Sequence, residues 1–206
     1  MVHYKLSYFD IRGLGEMNRM VLHYAGEKFE DHRVTPDEWP NYKSKTPFGQ
    51  MPVLEVDGKQ LAQSFAIARY LARKYHLAGK DDWESAQLDS IADFQKDFNS
   101  EVAQYFRVIA GFAEGDKEQL YKDVFLPASE RHFPKLEKLL KESGSGFFGK
   151  SGPSWVDFFI AEGVNTLSGF APDFFKKYPD LLAFKERVHS LPQLKEYIKT
   201  RKQTPL

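Results

Sequence analysis

Polar and apolar residues alternate over residues 3–8, which puts Tyr4, Leu6 and Tyr8 on one side of a short strand. Arg12-Gly13-Leu14-Gly15 reads as a loop. Residues 16–24 then carry Met17, Met20, Val21 and Tyr24 at helical spacing, with Gly26 placed to stop the helix. Residues 28–34 predict a second strand, and a β-α-β order makes the two strands parallel. After a polar stretch holding Pro36, Trp39, Pro40 and Pro47, Val53-Leu54-Glu55-Val56 is a third strand. Asp57-Gly58 is a type I′ hairpin signal that returns Lys59-Gln60-Leu61 antiparallel. From Ser64 to Tyr75, the residues Phe65, Ile67, Ala68, Leu71 and Ala72 mark a buried helix.

The period changes after His76. Strand signals fade beyond Trp83, and helical periodicity predicts helices over 84–110, 117–142, 154–168 and 179–200. Gly144-Ser145-Gly146 separates the second from the third. The division is a small α/β domain over 1–76, a linker over 76–82, and an all-helical domain over 83–206. No internal repeat or low-complexity segment interrupts it.

Charge and composition narrow the function. Lys plus Arg and Asp plus Glu both number 29, so formal net charge is zero. The first 76 residues hold 11 basic against 9 acidic side chains and the remainder 18 against 20. Neither half is a basic block, so neither a nucleic acid nor an anionic membrane is an expected partner. The chain has no cysteine, which removes disulfides, thiolate metal sites and a cysteine nucleophile. Its six histidines are scattered and no metal site is expected. Met1-Val2-His3-Tyr4-Lys5 lacks the apolar core of a signal peptide, and no run reaches transmembrane length. A soluble cytoplasmic protein is expected.

Four segments stand in a specific order: Tyr8-Phe9-Asp10-Ile11-Arg12-Gly13, then Pro47-Phe48-Gly49-Gln50-Met51-Pro52-Val53-Leu54, then Gln63-Ser64-Phe65-Ala66-Ile67-Ala68-Arg69-Tyr70-Leu71, then Ser154-Trp155-Val156-Asp157. Together with the order of elements, they resemble the soluble glutathione transferases, in particular the sigma class and its nematode relatives of the nu class. The resemblance runs nearly to the final Thr204-Pro205-Leu206. It implies a thioredoxin-like α/β N-terminal domain followed by an all-α C-terminal domain, with glutathione as co-substrate and a homodimer as the assembly.

A free thiol with a reference pKa near 8.5 is only about 3% thiolate at pH 7, and the thiolate is the nucleophile. Lowering that pKa by about two units gives about 75% thiolate and takes about 2.7 kcal/mol. One hydrogen bond to a charged group supplies about 1.5–3 kcal/mol. The resemblance makes Tyr8 that donor, where its position alone reads as a half-buried strand tyrosine. It also implies a cis Met51-Pro52 bond, which would turn the Met51 backbone outward to pair with the cysteinyl unit of glutathione. Read alone, Pro52 merely begins a strand. Gln63-Ser64 opens a helix, whose N-terminus suits the γ-glutamyl carboxylate; an ordinary serine cap fits the same letters.

By resemblance, Trp39, Lys43 and Gln50 meet the glycyl carboxylate, and Asp97 reaches the glutamyl ammonium bound to the partner subunit. Phe9, Leu14, Tyr105 and Phe106 are candidates for an apolar second-substrate pocket, although an aromatic helix stripe is more often core. Leu14 stands where the sigma class often has arginine, which leaves the role of Arg12 open. Phe48 is a candidate to enter the partner subunit. Ser154-x-x-Asp157 fits a capping box with a folding role, and Lys195, Lys199, Arg201 and Lys202 read as a solvated helix face. The expected activity is conjugation of glutathione to electrophilic apolar substrates in detoxification. Carriage of haem or other apolar ligands, glutathione-dependent prostaglandin isomerisation, and a packing role of the lens-crystallin kind are the alternatives.

Overall fold

The computed structural model describes residues 2–204; Met1, Pro205 and Leu206, on which parts of the terminal readings above fall, lie outside the described residues. The chain divides into two compact units, one reaching Ala78 and including His189–Thr204, the other spanning Gly79–Val188.

The first unit is built on a four-stranded sheet of order β2-β1-β3-β4, from β1 (Tyr4–Phe9), β2 (Phe29–Val34), β3 (Val53–Val56) and β4 (Lys59–Ala62). β1 runs parallel to β2, with Tyr8 opposite Arg33, and antiparallel to β3, with Leu6 opposite Leu54. The expected alternation holds in β1: Tyr4 and Leu6 are fully buried and Tyr8 nearly so. On the opposite face Ser7 is satisfied by His32 Nδ1 at 3.0 Å and the Tyr42 hydroxyl at 2.9 Å. The hairpin is type I′ as its letters require, with Asp57 at φ 48° and Gly58 at φ 82°.

Helix α1 (Gly13–Tyr24) packs against α3 (Ser64–Lys74), burying Met17, Met20 and Val21 on one helix and Ile67, Ala68 and Leu71 on the other. Gly26 stops α1 in a left-handed conformation at φ 70°. The polar stretch that follows β2 contains a short helix, α2 (Trp39–Lys43).

The second unit is helical: α4 (Asp82–Glu101), α5 (Ala103–Ile109), α6 (Lys117–Leu120), α7 (Leu126–Ser143), α8 (Trp155–Phe170), α9 (Pro172–Phe175) and α10 (Pro179–His189). α8 is its core helix. Val156, Phe158, Ile160, Ala161, Val164 and Leu167 are all buried, which is the burial of a helix apolar all round. Its N-terminus is the anticipated capping box. Asp157 Oδ2 accepts the Ser154 N–H at 2.8 Å and the Ser154 hydroxyl at 2.6 Å, while Oδ1 accepts the Phe148 N–H at 2.7 Å. Burial of this carboxyl raises its pKa to about 6 against the opposing pull of those donors.

Three expected helices differ. The helix expected over 84–110 breaks at Val102, a buried β-branched residue in the bridge region of backbone space at φ −93°, ψ 7°. The helix expected over 117–142 begins as α6, passes through a π-helical turn at Tyr121–Phe125 and continues as α7. The turn carries Phe125 fully buried among Tyr105, Tyr121 and Phe174, with ring centroids 4.9–5.5 Å away.

The helix expected over 179–200 is two helices, α10 and α11 (Lys195–Thr200). Pro192 explains the break, since it cannot continue a helix and biases Leu191 away from helical geometry. α11 and the residues after it up to Thr204 belong with the first unit, although the sequence division assigned them to the helical domain. The reading of this tail as a solvated face is corrected at one residue: Lys195, Lys199 and Lys202 are exposed, but Arg201 is 9% exposed and ion-paired to Glu16 at 2.7 Å.

Candidate functional site

Tyr8 ends the buried face of β1, so a rigid element sets its position. The chain then turns through Asp10-Ile11-Arg12 into α1, whose first residues form a seat for the phenol. The Leu14 N–H donates to the Tyr8 hydroxyl oxygen at 3.2 Å. Gly13 and Gly15 are required by contact. A Cβ at Gly15 would meet Tyr8 Cδ1 at 2.6 Å, and one at Gly13, which also sits at φ 40°, would meet the Tyr8 hydroxyl at 2.8 Å.

Burial pushes the Tyr8 phenol above its ordinary pKa, and the Leu14 N–H and the Arg19 cation offset only part of that. The group is therefore a neutral O–H at pH 7. One lone pair is taken by Leu14, and the proton remains available to donate.

Beneath the phenol lies a buried ionic cluster that the sequence reading missed. Arg19 is 0% exposed, with its guanidinium carbon 5.7 Å from the Tyr8 ring centroid. It pairs with Asp31 Oδ1 at 2.9 Å and Glu16 Oε2 at 3.1 Å. It also donates to the carbonyls of Ile11 at 2.9 Å and Arg12 at 3.4 Å. The signal was present: an arginine three residues after a glutamate, between Met17 and Met20 on an apolar helix face, is a charge that must find partners if it is buried.

The remaining expected residues of the first unit fall along two connected stretches. One is aromatic. Tyr8 meets Phe9 edge-on at 5.7 Å, and Phe9 meets Trp39 edge-on at 5.4 Å. The other runs from Lys43, whose Cε lies 3.4 Å from the position of a Cβ on Gly49, to Gln50, whose Oε1 accepts Gln63 Nε2 at 3.3 Å. The Met51-Pro52 bond between them is cis. Gln63 is the cap residue of α3, held at φ 73°, ψ 113°, a region that side chains seldom occupy. Ser64 is therefore the first helical residue and not the cap; it is buried, at the end of α3 where backbone N–H groups lack helical partners.

The second unit holds the other candidates. Asp97 is exposed on α4, at a hollow of about 170 Å³ lined by Phe94, Phe98, Glu101, Arg131, His132 and Lys135. His132 is stacked between Phe94 at 4.3 Å and Phe98 at 4.4 Å, and burial lowers its pKa to about 3. Tyr105 is 4% exposed and packs against the buried Phe125 with ring centroids 4.9 Å apart. It also lines a cleft of about 550 Å³ with Val108, Lys117, Tyr121, Lys122 and Phe170, a lining that does not include Phe106. Phe9 and Leu14 belong to the first unit, where Leu14 is 44% exposed. Arg12, whose role the sequence left open, donates through Nη2 to the Thr204 carbonyl at 3.0 Å. Among the described residues, no three His, Asp or Glu side chains are grouped to hold a metal ion, and no helix is long and apolar enough to cross a membrane.

Comparison with known proteins matches residues 4–73 to the glutathione S-transferase N-terminal domain and residues 96–201 to the glutathione S-transferase C-terminal domain. The chain is 50% identical over 205 residues to glutathione S-transferase 1 of Ascaris suum, with 100% of each covered. A solved Nu-class transferase from Haemonchus contortus is 48% identical with a TM-score of 0.92, again covering 100% of both chains. A Necator americanus transferase described as monomeric is 48% identical with a TM-score of 0.94, covering 99% of this chain and 100% of that one.

Proposed function

The chain belongs to the glutathione S-transferase family, as a nematode-type glutathione transferase, and from that premise we propose that the Tyr8 hydroxyl donates its proton in a hydrogen bond to the sulfur of bound glutathione and so holds it as thiolate. The observation that supports this most is the phenol itself: a buried, neutral O–H with its oxygen already engaged by Leu14, at the end of a central strand. A neutral donor stabilises the anion and not the thiol, so the thiol pKa falls. The thiolate then attacks an electrophilic carbon: a C–S bond forms, the leaving group departs with its electron pair, and the thiol proton has gone to solvent.

The rest of the first unit supplies a cradle of matching chemistry. The Met51 backbone beside its cis Met51-Pro52 bond suits the cysteinyl unit. The N–H groups at Gln63-Ser64 suit the γ-glutamyl carboxylate, and Trp39, Lys43 and Gln50 suit the glycyl carboxylate. Asp97 would meet the glutamyl ammonium of a glutathione bound by the partner subunit. Phe9, Leu14, Tyr105 and Phe106 are the apolar residues proposed to contact the electrophile. The physiological reading is detoxification of apolar electrophiles by a cytoplasmic homodimer, with Phe48, 65% exposed, inserting into the partner's Phe94-Phe98-His132 hollow. A second reading, carriage of haem or another apolar ligand, is favoured by the Tyr105-Tyr121-Phe170 cleft, whose rim carries Lys117, Glu118 and Lys122; titration with haem tests it.

Tyr8→Phe is the decisive experiment. A lost charge-assisted hydrogen bond of about 1.5–3 kcal/mol corresponds to a fall in kcat of about 10- to 150-fold. The fold and most glutathione affinity should be retained, and parent-level turnover would remove Tyr8 from the reaction.

A further inference from the structure

The last described stretch of chain returns to one place. Tyr197 Oη donates to Glu16 Oε1 at 2.7 Å, and Arg201 Nη1 donates to the same oxygen at 2.7 Å. Lys202 pairs with Asp10. Thr204 gives its carbonyl to Arg12 Nε at 3.3 Å and Nη2 at 3.0 Å. The Tyr197 ring stacks on His23 at 3.8 Å and 20°. These contacts fall on residues 10, 12, 16 and 23, that is, on the loop after Tyr8 and on the helix whose first turn seats the phenol.

Glu16 is the junction. It is 1% exposed, and while Oε1 takes Tyr197 and Arg201, Oε2 takes Arg19 Nη1 at 3.1 Å. Arg19 in turn holds the carbonyls of Ile11 and Arg12 and pairs with Asp31. Asp10 is held from the other side by Arg33 at 3.5 Å. Every residue of the Asp10-Ile11-Arg12 loop is thus tied down, part by Arg19 from within α1 and part by the C-terminal segment. A carboxylate buried with two arginines and a phenol loses compensating charge if Arg201 leaves, and is left with an unmet acceptor if the Tyr197 hydroxyl leaves. The adjustment falls on the chain that carries Glu16, one residue from Gly15 and two from Leu14. A tail that only covered apolar surface would need Leu194, which is fully buried, and none of these polar contacts.

We propose that Tyr197–Thr204 is a clamp on the Tyr8 loop, and that Glu16 is the positioning residue through which this clamp sets the direction of the Tyr8 hydroxyl. The proposal rests on the assignment of Tyr8 made above. It predicts that the clamp controls how much of the bound glutathione is thiolate, and much less how tightly glutathione binds.

The test measures the apparent pKa of the bound thiol by the ultraviolet absorbance of the thiolate against pH, with no electrophile present, in the parent protein, a chain lacking residues 201–206, and Tyr197→Phe. The deletion should raise the thiol pKa by about one unit, a tenfold loss of thiolate in the limiting range, with KM for glutathione within about twofold of the parent value. Tyr197→Phe, which removes one O–H and keeps the fold, should move the pKa the same way by a smaller step. In a Tyr8→Phe background the deletion should add nothing, because the clamp acts through the phenol.

A thiol pKa unmoved in both variants overturns the proposal, as does a lower melting temperature with the pKa unmoved, which marks a tail that serves folding alone. An equal shift with and without Tyr8 also overturns it. If the deletion does not fold, Tyr197→Phe decides alone. Failure of the Tyr8 assignment looks different: Tyr8→Phe itself would then leave the thiol pKa unchanged.

Discussion

Gly15→Ala tests whether the seat of Tyr8, and not merely its presence, matters. A Cβ at this position would lie 2.6 Å from Tyr8 Cδ1, 2.8 Å from Cγ and 3.1 Å from Cβ. Carbon atoms in good contact sit about 3.5–4.0 Å apart, so the ring must retreat by about 1 Å. It has little room, with Phe9 edge-on at 5.7 Å and the Arg19 guanidinium carbon 5.7 Å from the ring centroid. A retreat of that size stretches the 3.2 Å bond from Leu14 beyond hydrogen-bond range and displaces the hydroxyl proton.

Helix formation works in the opposite direction. Gly15 lies inside α1 without a positive φ, and alanine is better there than glycine by about 1 kcal/mol. The variant should therefore fold. A misplacement of about 1 Å costs about 10²-fold in rate, and this is the expected fall in kcat for conjugation to a reactive aryl halide. The thiolate absorbance of the bound complex should fall with it. Gly169→Ala is the control, since nothing lies within 4 Å of its added Cβ; it should raise the melting temperature and leave kcat at the parent value. Gly15→Ala with parent kcat and parent thiol pKa would refute the reasoning, because a phenol that tolerates such a displacement is not the group that holds the sulfur.

Three further outcomes are expected. Asp157→Ala leaves the N–H groups of Phe148 and Ser154 without their acceptor, and at about 1–3 kcal/mol per orphaned group urea unfolding should show a loss of several kcal/mol with activity per folded molecule retained. His132 has a folded pKa lowered to about 3, so its contribution is present above the ordinary value of 6.5 and is lost as pH falls toward 3, at about 1.36 kcal/mol per unit. Asp157, raised to about 6, has the opposite slope below that pH. The measurement is therefore the difference in stability between the parent and His132→Leu: about 2.3 kcal/mol of relative loss by the parent from pH 6.5 to 4.5, with a flat difference refuting it. Phe48→Ser should shift sedimentation from a dimer toward the 23.8 kDa protomer, and a parent that already sediments as a protomer sinks the homodimer.

What could be read from the letters was local. Asp57-Gly58 carries its turn type in two residues, and Ser154-x-x-Asp157 carries its cap in four, so both are visible without knowing the fold. The break at Pro192 was equally local, but apolar periodicity continued across it and outweighed the proline. The break at Val102 was hidden, because a buried valine suits a helix interior and a helix kink alike. Tyr105 could not be assigned to core or cleft because it serves as both, which depends on the π-helical turn that brings Phe125 against it. The C-terminal partners of the Glu16 cluster were out of reach for another reason: Tyr197 and Arg201 are 181 and 185 residues away. No periodicity reports such a pairing, and a tail rich in lysine and arginine looks the same in water as against a buried carboxylate. The proposed glutathione cradle draws on the motif order alone, since a proline before a strand and a serine at a helix start are common in any fold.

The hydrogen bonds from Arg12 to the Thr204 carbonyl have a practical side for anyone handling the protein. A purification tag or fusion partner joined downstream of that residue starts beside the loop that follows Tyr8. Val2, 38% exposed, offers an attachment point before the first residue of β1, at the end of that strand away from the loop. Immobilised or labelled preparations built on the two ends of the chain should accordingly differ in turnover even when both are fully folded.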